Sequence, residues 1–108
     1  MESYLKKLKR EGASGRMFSK FTRRWFVLDL ESGYFYYLKG RMSKKPENTY
    51  PVTDIVSIDL HPTLKTLCDW NFPLTIKFTH REYFLYAFNL STHHEWVRAL
   101  GAIRTQHL

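Results

Sequence analysis

The side chains in this sequence that could do chemistry are mostly basic, and they are unevenly placed along the chain. Residues 1–45 hold 12 of the 17 Lys and Arg residues and only 4 of the 10 Asp and Glu residues, a net charge of +8. Residues 46–108 hold the other 5 basic and 6 acidic side chains and sum to −1. Arg can hold a phosphate or carboxylate through two parallel hydrogen bonds, and Lys supplies a flexible point charge. The pattern therefore predicts that one end of the molecule attracts anionic partners.

Residue types that commonly catalyse reactions or hold metals form no recognisable pattern here. The sequence has no Gly-rich phosphate loop, no nucleophile elbow and no zinc signature. Cys68 is the only cysteine, so no internal disulfide can form, which fits a reducing compartment. Of the five histidines only His93 and His94 are adjacent, and a solvated role is expected for both. We therefore predict a binding protein rather than an enzyme, with no catalytic residue, metal or cofactor.

The elements that must position the basic side chains are predicted to be short strands. Apolar and aromatic runs recur with turn signals between them, which is typical of an antiparallel sandwich or barrel. Residues 31–33 predict a tight hairpin turn, and residues 79–82 predict a polar turn. Alternation along the second strand places Phe26, Leu28 and Leu30 in the core. The seven predicted strands are residues 4–9, 21–30, 34–39, 50–52, 55–61, 72–78 and 83–88.

A single helix is predicted over residues 92–104, because the apolar period changes there from two to about 3.6 residues. Trp96, Leu100 and Ile103 fall at i, i+4 and i+7. Thr92 has the spacing of a capping box with the glutamate three residues later, and Ser91 is the alternative cap. Residues 1–3 and 106–108 are expected to be frayed ends.

The whole chain is predicted to form one domain. With 108 residues and 44% hydrophobic content, the chain can close one core and is too short for two domains. We expect a single unit over residues 1–108, with an ordered core of about residues 4–104, that is monomeric when isolated. No apolar run of about 18 residues is present, and the N-terminus is not signal-like, so a soluble intracellular protein is predicted.

Four local patterns, in the right order and spacing, resemble the pleckstrin-homology (PH) domain family over nearly the whole chain. Residues 4–7 resemble its first strand, residues 23–28 closely match its second-strand signature, and residues 33–37 resemble its third strand. Residues 95–100, which include Trp96, resemble its C-terminal helix. The resemblance implies a mainly β fold, a seven-stranded, strongly bent antiparallel barrel or sandwich capped by one C-terminal α-helix. Trp96 would then be a structural plug between helix and sheet.

Alternating strand directions bring the end of the first strand, the start of the second and the end of the third to one end of such a fold. Lys7, Arg24 and Lys39 share the parity of apolar residues in their strands, which predicts that they face inward where the sheet splays open. A basic residue on an inner face is unusual and therefore informative. The resemblance implies that Lys7, Arg24 and Tyr37 contact the phosphates of a phosphoinositide head group.

Thr22 departs from the pattern of the family, which usually has Lys or Arg at this position. Arg23 or Lys20 could partly compensate for the missing cation. The predicted head-group site lies between the loop that joins the first two strands and the loop that joins the third and fourth. Its predicted ligand-binding residues are Lys7, Lys9, Lys20, Arg23, Arg24, Tyr37, Lys39 and Arg41.

A second set of residues is predicted to contact the membrane surface. Met17 and Phe18 lie in a Gly-containing loop between basic residues, so they either pack against Phe21 and Trp25 or dip into the lipid interface. Lysines in the loop after the third strand would add attraction to any anionic membrane. The predicted membrane-contact residues are Arg16, Met17, Phe18, Lys44 and Lys45.

Together these patterns predict a membrane-targeting module that binds phosphoinositides or other anionic phospholipids at the cytosolic face of a membrane. The alternative is a PH-fold protein-interaction module with only weak attraction to lipid, since the fold also serves as a scaffold for protein partners. Basic residues do interleave with aromatic ones, as they do on platforms that stack nucleic-acid bases. Because the strand aromatics are needed for the core, nucleic acid is not expected as a partner.

Overall fold

Seven antiparallel strands followed by a C-terminal helix make up the fold, as the sequence predicts. A computed structural model describes residues 1–9, 21–62 and 69–107, with side chains described as far as residue 103. A 3₁₀ turn, Val52–Asp54, precedes the fifth strand. The elements are β1 Glu2–Leu8, β2 Phe21–Asp29, β3 Tyr34–Leu38, β4 Asn48–Pro51, β5 Ile55–Asp59, β6 Phe72–Phe78, β7 Arg81–Ala87 and α1 Leu90–His107.

Strand pairing places β1 in the middle of the sheet. The strand order is β4-β3-β2-β1-β7-β6-β5, and each pair is antiparallel. β1 therefore pairs with β2 on one side and with β7 on the other, so the first and last strands of the chain are neighbours. The two edges of the sheet are β4 and β5. This pairing curls the sheet around one core, and α1 packs on the concave side against β6 and β7.

Period-2 alternation fills the core from each strand, as predicted for Phe26 and Leu28, which are 0% and 2% exposed. The prediction is wrong for Leu30, which is 45% exposed. β2 ends at Asp29, so Leu30 lies in the turn and no longer follows the alternation of the strand. The same turn contains Gly33, whose φ of 84° is a left-handed conformation that glycine adopts without a Cβ penalty.

The turn between β6 and β7 is shorter than predicted. Phe78 pairs with Arg81 and Lys77 pairs with Glu82, so the turn contains only Thr79 and His80. Two polar residues were expected to continue the turn, yet Glu82 lies on the exposed face of β7, where a polar residue is common, and Arg81 pairs with Phe78. Arg81 therefore begins β7. The other strand boundaries lie within two residues of the predicted ones.

α1 begins earlier than predicted because a different residue caps it. The Asn89 side-chain Oδ1 accepts a hydrogen bond of 2.8 Å from the Thr92 backbone N–H, so the predicted capping by Thr92 or Ser91 is wrong. Leu100 and Ile103 are buried on the predicted face, and α1 continues to His107. In the described part of the chain, no helix combines the length and the apolar character that crossing a bilayer requires.

Trp96 is fully buried, as predicted, and it ties the helix to the first strand. Its Nε1–H donates a hydrogen bond of 2.8 Å to the Ser3 hydroxyl, and its ring contacts Phe35 edge-on with centroids 6.4 Å apart. The prediction that residues 1–3 fray is wrong, because Glu2 and Ser3 belong to β1. Met1 also pairs with the backbone of Leu28.

Replacing Ser3 with Ala should lower the free energy of unfolding by about 1–3 kcal/mol, because the buried Trp96 indole N–H would lose its acceptor. Urea denaturation would measure this loss. The control is Ser57→Ala on the exposed part of β5, which should change stability by less than about 0.5 kcal/mol. Equal effects of the two changes would contradict a supporting role for Ser3.

Replacing Asn89 with Ala should cost about 1 kcal/mol of stability, because the backbone N–H of Thr92 would lose its capping acceptor. Thermal unfolding followed by circular dichroism would measure the loss. Thr92→Ala serves as the comparison and should cost distinctly less, since the Thr92 side chain is not the cap. A larger loss for Thr92→Ala would restore the capping box predicted from the sequence.

Candidate functional site

A group of charged side chains lies on the inner face of the sheet, at the end where β1 stops and β2 begins. Leu5 lies opposite Arg24, and Lys7, two residues further along β1, therefore shares the face of Arg24. Tyr37 shares this face too, because it pairs with the core residue Phe26. Together with two neighbouring side chains these residues form a site that we call the basic cup. The basic cup consists of Lys7, Arg24, Tyr37, Glu47 and Arg81.

Lys7 is the half-buried cation at the centre of the basic cup. Its Nζ lies 5.5 Å from the centroid of the Tyr37 ring, close enough for a cation–π interaction. Burial lowers the pKa of Lys7 below its ordinary value of 10.5, and the charges of Arg81 and Arg24 lower it further. Tyr37 and Glu47 oppose this shift without cancelling it. An anion bound here would favour the charged form of Lys7, so the site is electrostatically suited to an anionic ligand.

Arg24 is held in place by Glu47 and by the backbone of the preceding residue, Arg23. Its Nε–H donates to Glu47 Oε1 at 2.5 Å, and Nη1 donates to the Arg23 carbonyl oxygen at 2.9 Å. The two side chains of the ion pair are 25% and 29% exposed, so water reaches both. Glu47 is positioned by its backbone N–H, which donates to the Tyr37 carbonyl oxygen at 2.8 Å.

A network of phenol groups forms the floor of the basic cup. The Tyr37 hydroxyl accepts a hydrogen bond of 2.6 Å from Asn48 Nδ2 and lies 3.5 Å from the Tyr83 hydroxyl. Tyr83 in turn shares a hydrogen bond of 2.6 Å with Tyr50. Burial raises the pKa of Tyr83 strongly, and its bonds to Tyr37 and Tyr50 raise it further, so this phenol stays neutral. Tyr37 is only 3% exposed, and the Lys7 Nζ lies over its ring.

Arg81 is a member of the basic cup that the sequence analysis missed. Its guanidinium carbon lies 4.5 Å from the centroid of the Tyr83 ring, and its charge acts on Lys7. Leu85 pairs with Lys7, and Arg81 has the parity of Leu85, so both face inward. The signal was present in the sequence as period-2 alternation through Arg81, Tyr83 and Leu85. It was hidden because residues 79–82 were all assigned to the turn.

Two of the predicted ligand-binding residues lie on the opposite, outer face of the sheet. Arg23 follows the parity of Trp25, and its guanidinium carbon lies 4.3 Å from the centroid of the Tyr4 ring. Arg41 lies 5.7 Å from the Trp25 centroid, and its backbone N–H donates to the Tyr4 hydroxyl at 3.1 Å. The Tyr4 and Trp25 rings meet edge-on with centroids 4.8 Å apart. Arg23 and Arg41 are therefore separated from Lys7 and Arg24 by the sheet itself.

The remaining predicted contact residues fall into two groups. Lys9 follows the end of β1 and is half-buried, while Lys39, Lys44 and Lys45 are exposed in the segment between β3 and β4. The prediction that Lys39 faces inward is wrong, because β3 ends at Leu38 and the strand alternation stops there. The other predicted residues lie outside the described part of the chain, and their contacts stay predictions. They are Arg16, Met17, Phe18 and Lys20.

His93 departs from the solvated role predicted for the adjacent histidines, because it is only 5% exposed. Its Nε2–H donates to the Pro73 carbonyl oxygen at 3.0 Å, which anchors α1 to β6. His94 is exposed. Near them lies an open cleft of about 240 Å³ between the start of α1 and the start of β6. It is lined by His61, Pro62, Phe72, Pro73, Leu90, His93 and His94.

Comparisons with known proteins point to one family of small domains. The family description "PH domain" matches residues 1–104. The solved PH domain of human oxysterol binding protein-related protein 11 is 22% identical, with a TM-score of 0.69 over 99% of this chain and 81% of that chain. The PH domain of human TBC1 domain family member 2 is 20% identical, with a TM-score of 0.70 over 98% of this chain and 81% of that chain.

A third solved structure carries a ligand. The C-terminal PH domain of pleckstrin in complex with D-myo-Ins(1,2,3,5,6)P5 is 17% identical, with a TM-score of 0.67 over 95% of this chain and 92% of that chain. At such identities the solved structures establish a shared fold. A search among curated proteins found no match.

Replacing Lys7 with Met should raise the stability of the protein at neutral pH, because the folded state would no longer hold a partly desolvated charge. Since the folded pKa lies below the ordinary 10.5, the unfolded state binds more protons between these two values. The loss of folding stability caused by the desolvated Lys7 charge is therefore fully present below the folded pKa of Lys7, and it disappears as the pH rises to 10.5. The advantage of Lys7→Met over the wild type should shrink over that range.

Urea denaturation at a series of pH values from 7 upward would measure the difference between the two proteins. Lys77→Met, at an exposed position of β6, is the matched control and should shift stability by less than about 0.5 kcal/mol. An advantage of Lys7→Met that is independent of pH would show that the change acts through packing and not through the lysine charge.

Proposed function

The chain belongs to the PH domain family, and on that premise we propose that it is a membrane-targeting module whose basic cup binds phosphoinositide head groups. The observation that carries this proposal is the convergence of three cations, Lys7, Arg24 and Arg81, on one inner face. Burial lowers the pKa of Lys7, and the charges of Arg81 and Arg24 lower it further. Placing these cations together is electrostatically unfavourable without a ligand, and an anionic ligand best explains the arrangement.

Phosphate monoesters suit the charge of the basic cup better than carboxylates do. Three cations face one carboxylate, that of Glu47, so the basic cup has an excess positive charge. Each phosphate monoester carries about −1.5 to −2 charges near neutral pH, so one or two of them balance that excess. The inositol phosphate held by the C-terminal PH domain of pleckstrin, a protein with the same fold, supports this choice of ligand class.

Membrane binding would combine the basic cup with a wider surface contribution. Lys39, Lys44 and Lys45 are exposed in the segment after β3, and each cation near an anionic membrane contributes about 1 kcal/mol. Arg41, on the outer face, would add to the same attraction. Met17 and Phe18, with Arg16 and Lys20, are proposed to act in the neighbouring loop. The module would then sit at the cytosolic face of a membrane.

A protein-interaction module is the second candidate, and one observation favours it. Phe88, which lies between β7 and α1, is 57% exposed, and Leu90, the first residue of α1, is 51% exposed. The Phe88 ring lies beside that of Trp70, with centroids 5.4 Å apart. Exposed apolar side chains next to the cleft of α1 and β6 would suit a protein partner. Such a module would respond to anionic membrane charge in general and not to phosphoinositide content.

Replacing Arg24 with Ala should weaken binding of a soluble inositol polyphosphate by about 10- to 100-fold, because a charge-assisted hydrogen bond contributes about 1.5–3 kcal/mol. Calorimetric titration would measure the loss, and Arg98→Ala, at an exposed position of α1, is the matched control. Wild-type protein that binds phosphoinositide vesicles no better than phosphatidylserine vesicles of equal charge would overturn the proposal in favour of the protein-interaction module.

The double change of Lys44 and Lys45 to Ala should act differently. It should weaken binding to all anionic vesicles by about 30-fold, the equivalent of two cations at about 1 kcal/mol each, and reduce the salt dependence. Binding of the soluble inositol polyphosphate should stay nearly unchanged. Sedimentation with vesicles at several salt concentrations would measure this, and an equal loss of soluble ligand would show that both lysines belong to the basic cup.

A further inference from the structure

Glu47 stands out in the basic cup because it is an acidic side chain built into a site for anions. It directly precedes β4, and its backbone N–H is fixed by the Tyr37 carbonyl oxygen at 2.8 Å. The next residue, Asn48, is fixed in turn by a hydrogen bond of 2.6 Å from its side chain to the Tyr37 hydroxyl. The carboxylate of Glu47 is therefore held at the mouth of the basic cup by the same floor that supports Lys7.

The Glu47 carboxylate occupies one of the donors through which Arg24 could hold a phosphate. Arg24 holds phosphates best through two parallel N–H donors of its planar guanidinium. Its Nε–H is bonded to Glu47, and Nη1 bonds to the Arg23 carbonyl oxygen. An incoming phosphate must therefore displace Glu47 to use the Nε edge of Arg24 in a bidentate contact.

We propose that Glu47 is an internal competitor that closes the basic cup by pairing with Arg24 until a polyphosphorylated head group displaces it. This inference rests on the proposed function. It adds a residue that determines whether a ligand carries enough phosphates to bind in the basic cup. A ligand with several phosphates can contact Lys7 and Arg81 while it replaces Glu47 on Arg24. A lipid with a single phosphodiester charge offers too few contacts to do the same, so it stays at the surface lysines.

The competition acts through one atom pair, and this separates it from a general effect of negative charge. A carboxylate that merely repels the ligand through space would weaken binding whether or not Arg24 is present. A carboxylate that competes for Arg24 has nothing to compete for once that arginine is removed. The two mechanisms therefore differ in a double-mutant cycle between positions 24 and 47.

The test measures binding of inositol hexakisphosphate to the whole chain by calorimetric titration at constant ionic strength. Glu47→Gln keeps the size of the side chain and leaves the backbone contact to Tyr37 intact, so folding should be preserved. We expect this variant to bind about tenfold more tightly than the wild type, the effect of about one charge-assisted hydrogen bond. Glu82→Gln, on the exposed face of β7, is the matched control and should change affinity by less than about twofold.

The decisive comparison repeats Glu47→Gln in a protein that already carries Arg24→Ala. There the tenfold gain should disappear. A gain that persists in the Arg24→Ala background, or no gain in the wild-type background, would overturn the competitor role while leaving head-group binding intact. Absence of binding by both the wild type and Glu47→Gln would overturn this inference and the proposed function together. Binding by Glu47→Gln with none by the wild type would support both.

Discussion

The burial of Trp96 is the interaction on which the arrangement of the rest of the molecule depends. Its side chain is fully buried, contacts Phe35 of β3 and donates to Ser3 of β1, so one residue of α1 reaches two strands of the sheet. A sheet curled as strongly as this one needs an apolar group of that size to fill its concave side. Because the helix satisfies this need near the start of β1, the opposite end of that strand is left free to carry charge on its inner face.

The end of the sheet where β1 stops and β2 begins carries the basic cup, which is built on a layer of tyrosine side chains. Its floor is a hydrogen-bonded network, since the Tyr37, Tyr50 and Tyr83 hydroxyls bond to one another or to Asn48. Lys7 lies above that floor, where burial and like charges act against its protonated form. This unfavourable electrostatic free energy is confined to Lys7 and its neighbours. The protein tolerates it because the hydrophobic core supplies the stability of the fold. Many binding sites have this character, in which groups needed for a ligand are unfavourable without it.

Much of this architecture could be predicted from residue alternation alone, and the failures have physical reasons. The prediction of β6 was correct at both ends, and parity placed Lys7 and Arg24 on one face. Arg81 was missed because polar residues at a strand start resemble a turn, and because a cation on the inner face of a strand is unusual. Glu47 could not be found, because its pairing with Arg24 depends on how β4 docks on β3, which no local pattern encodes. Arg23 lies next to Arg24 in the sequence but on the opposite face of β2, because neighbouring strand residues face opposite sides. Arg41 lies in a loop, and its contacts with Trp25 and Tyr4 place it on that outer face.

The position of each strand in the sheet gives the two halves of the basic cup different mobility. Lys7 is carried by β1, which is paired on both sides, whereas Glu47 precedes the short edge strand β4, which lies at one border of the sheet. Local opening events begin at such borders and rarely reach central strands, so hydrogen exchange should be fast near residue 47 and slow along β1. The Glu47 carboxylate can thus move away from Arg24 at a low cost in conformational free energy, while β1 keeps Lys7 in place. Under the proposed function, ligand entry would then require a movement at one border of the sheet and no rearrangement of its central strands.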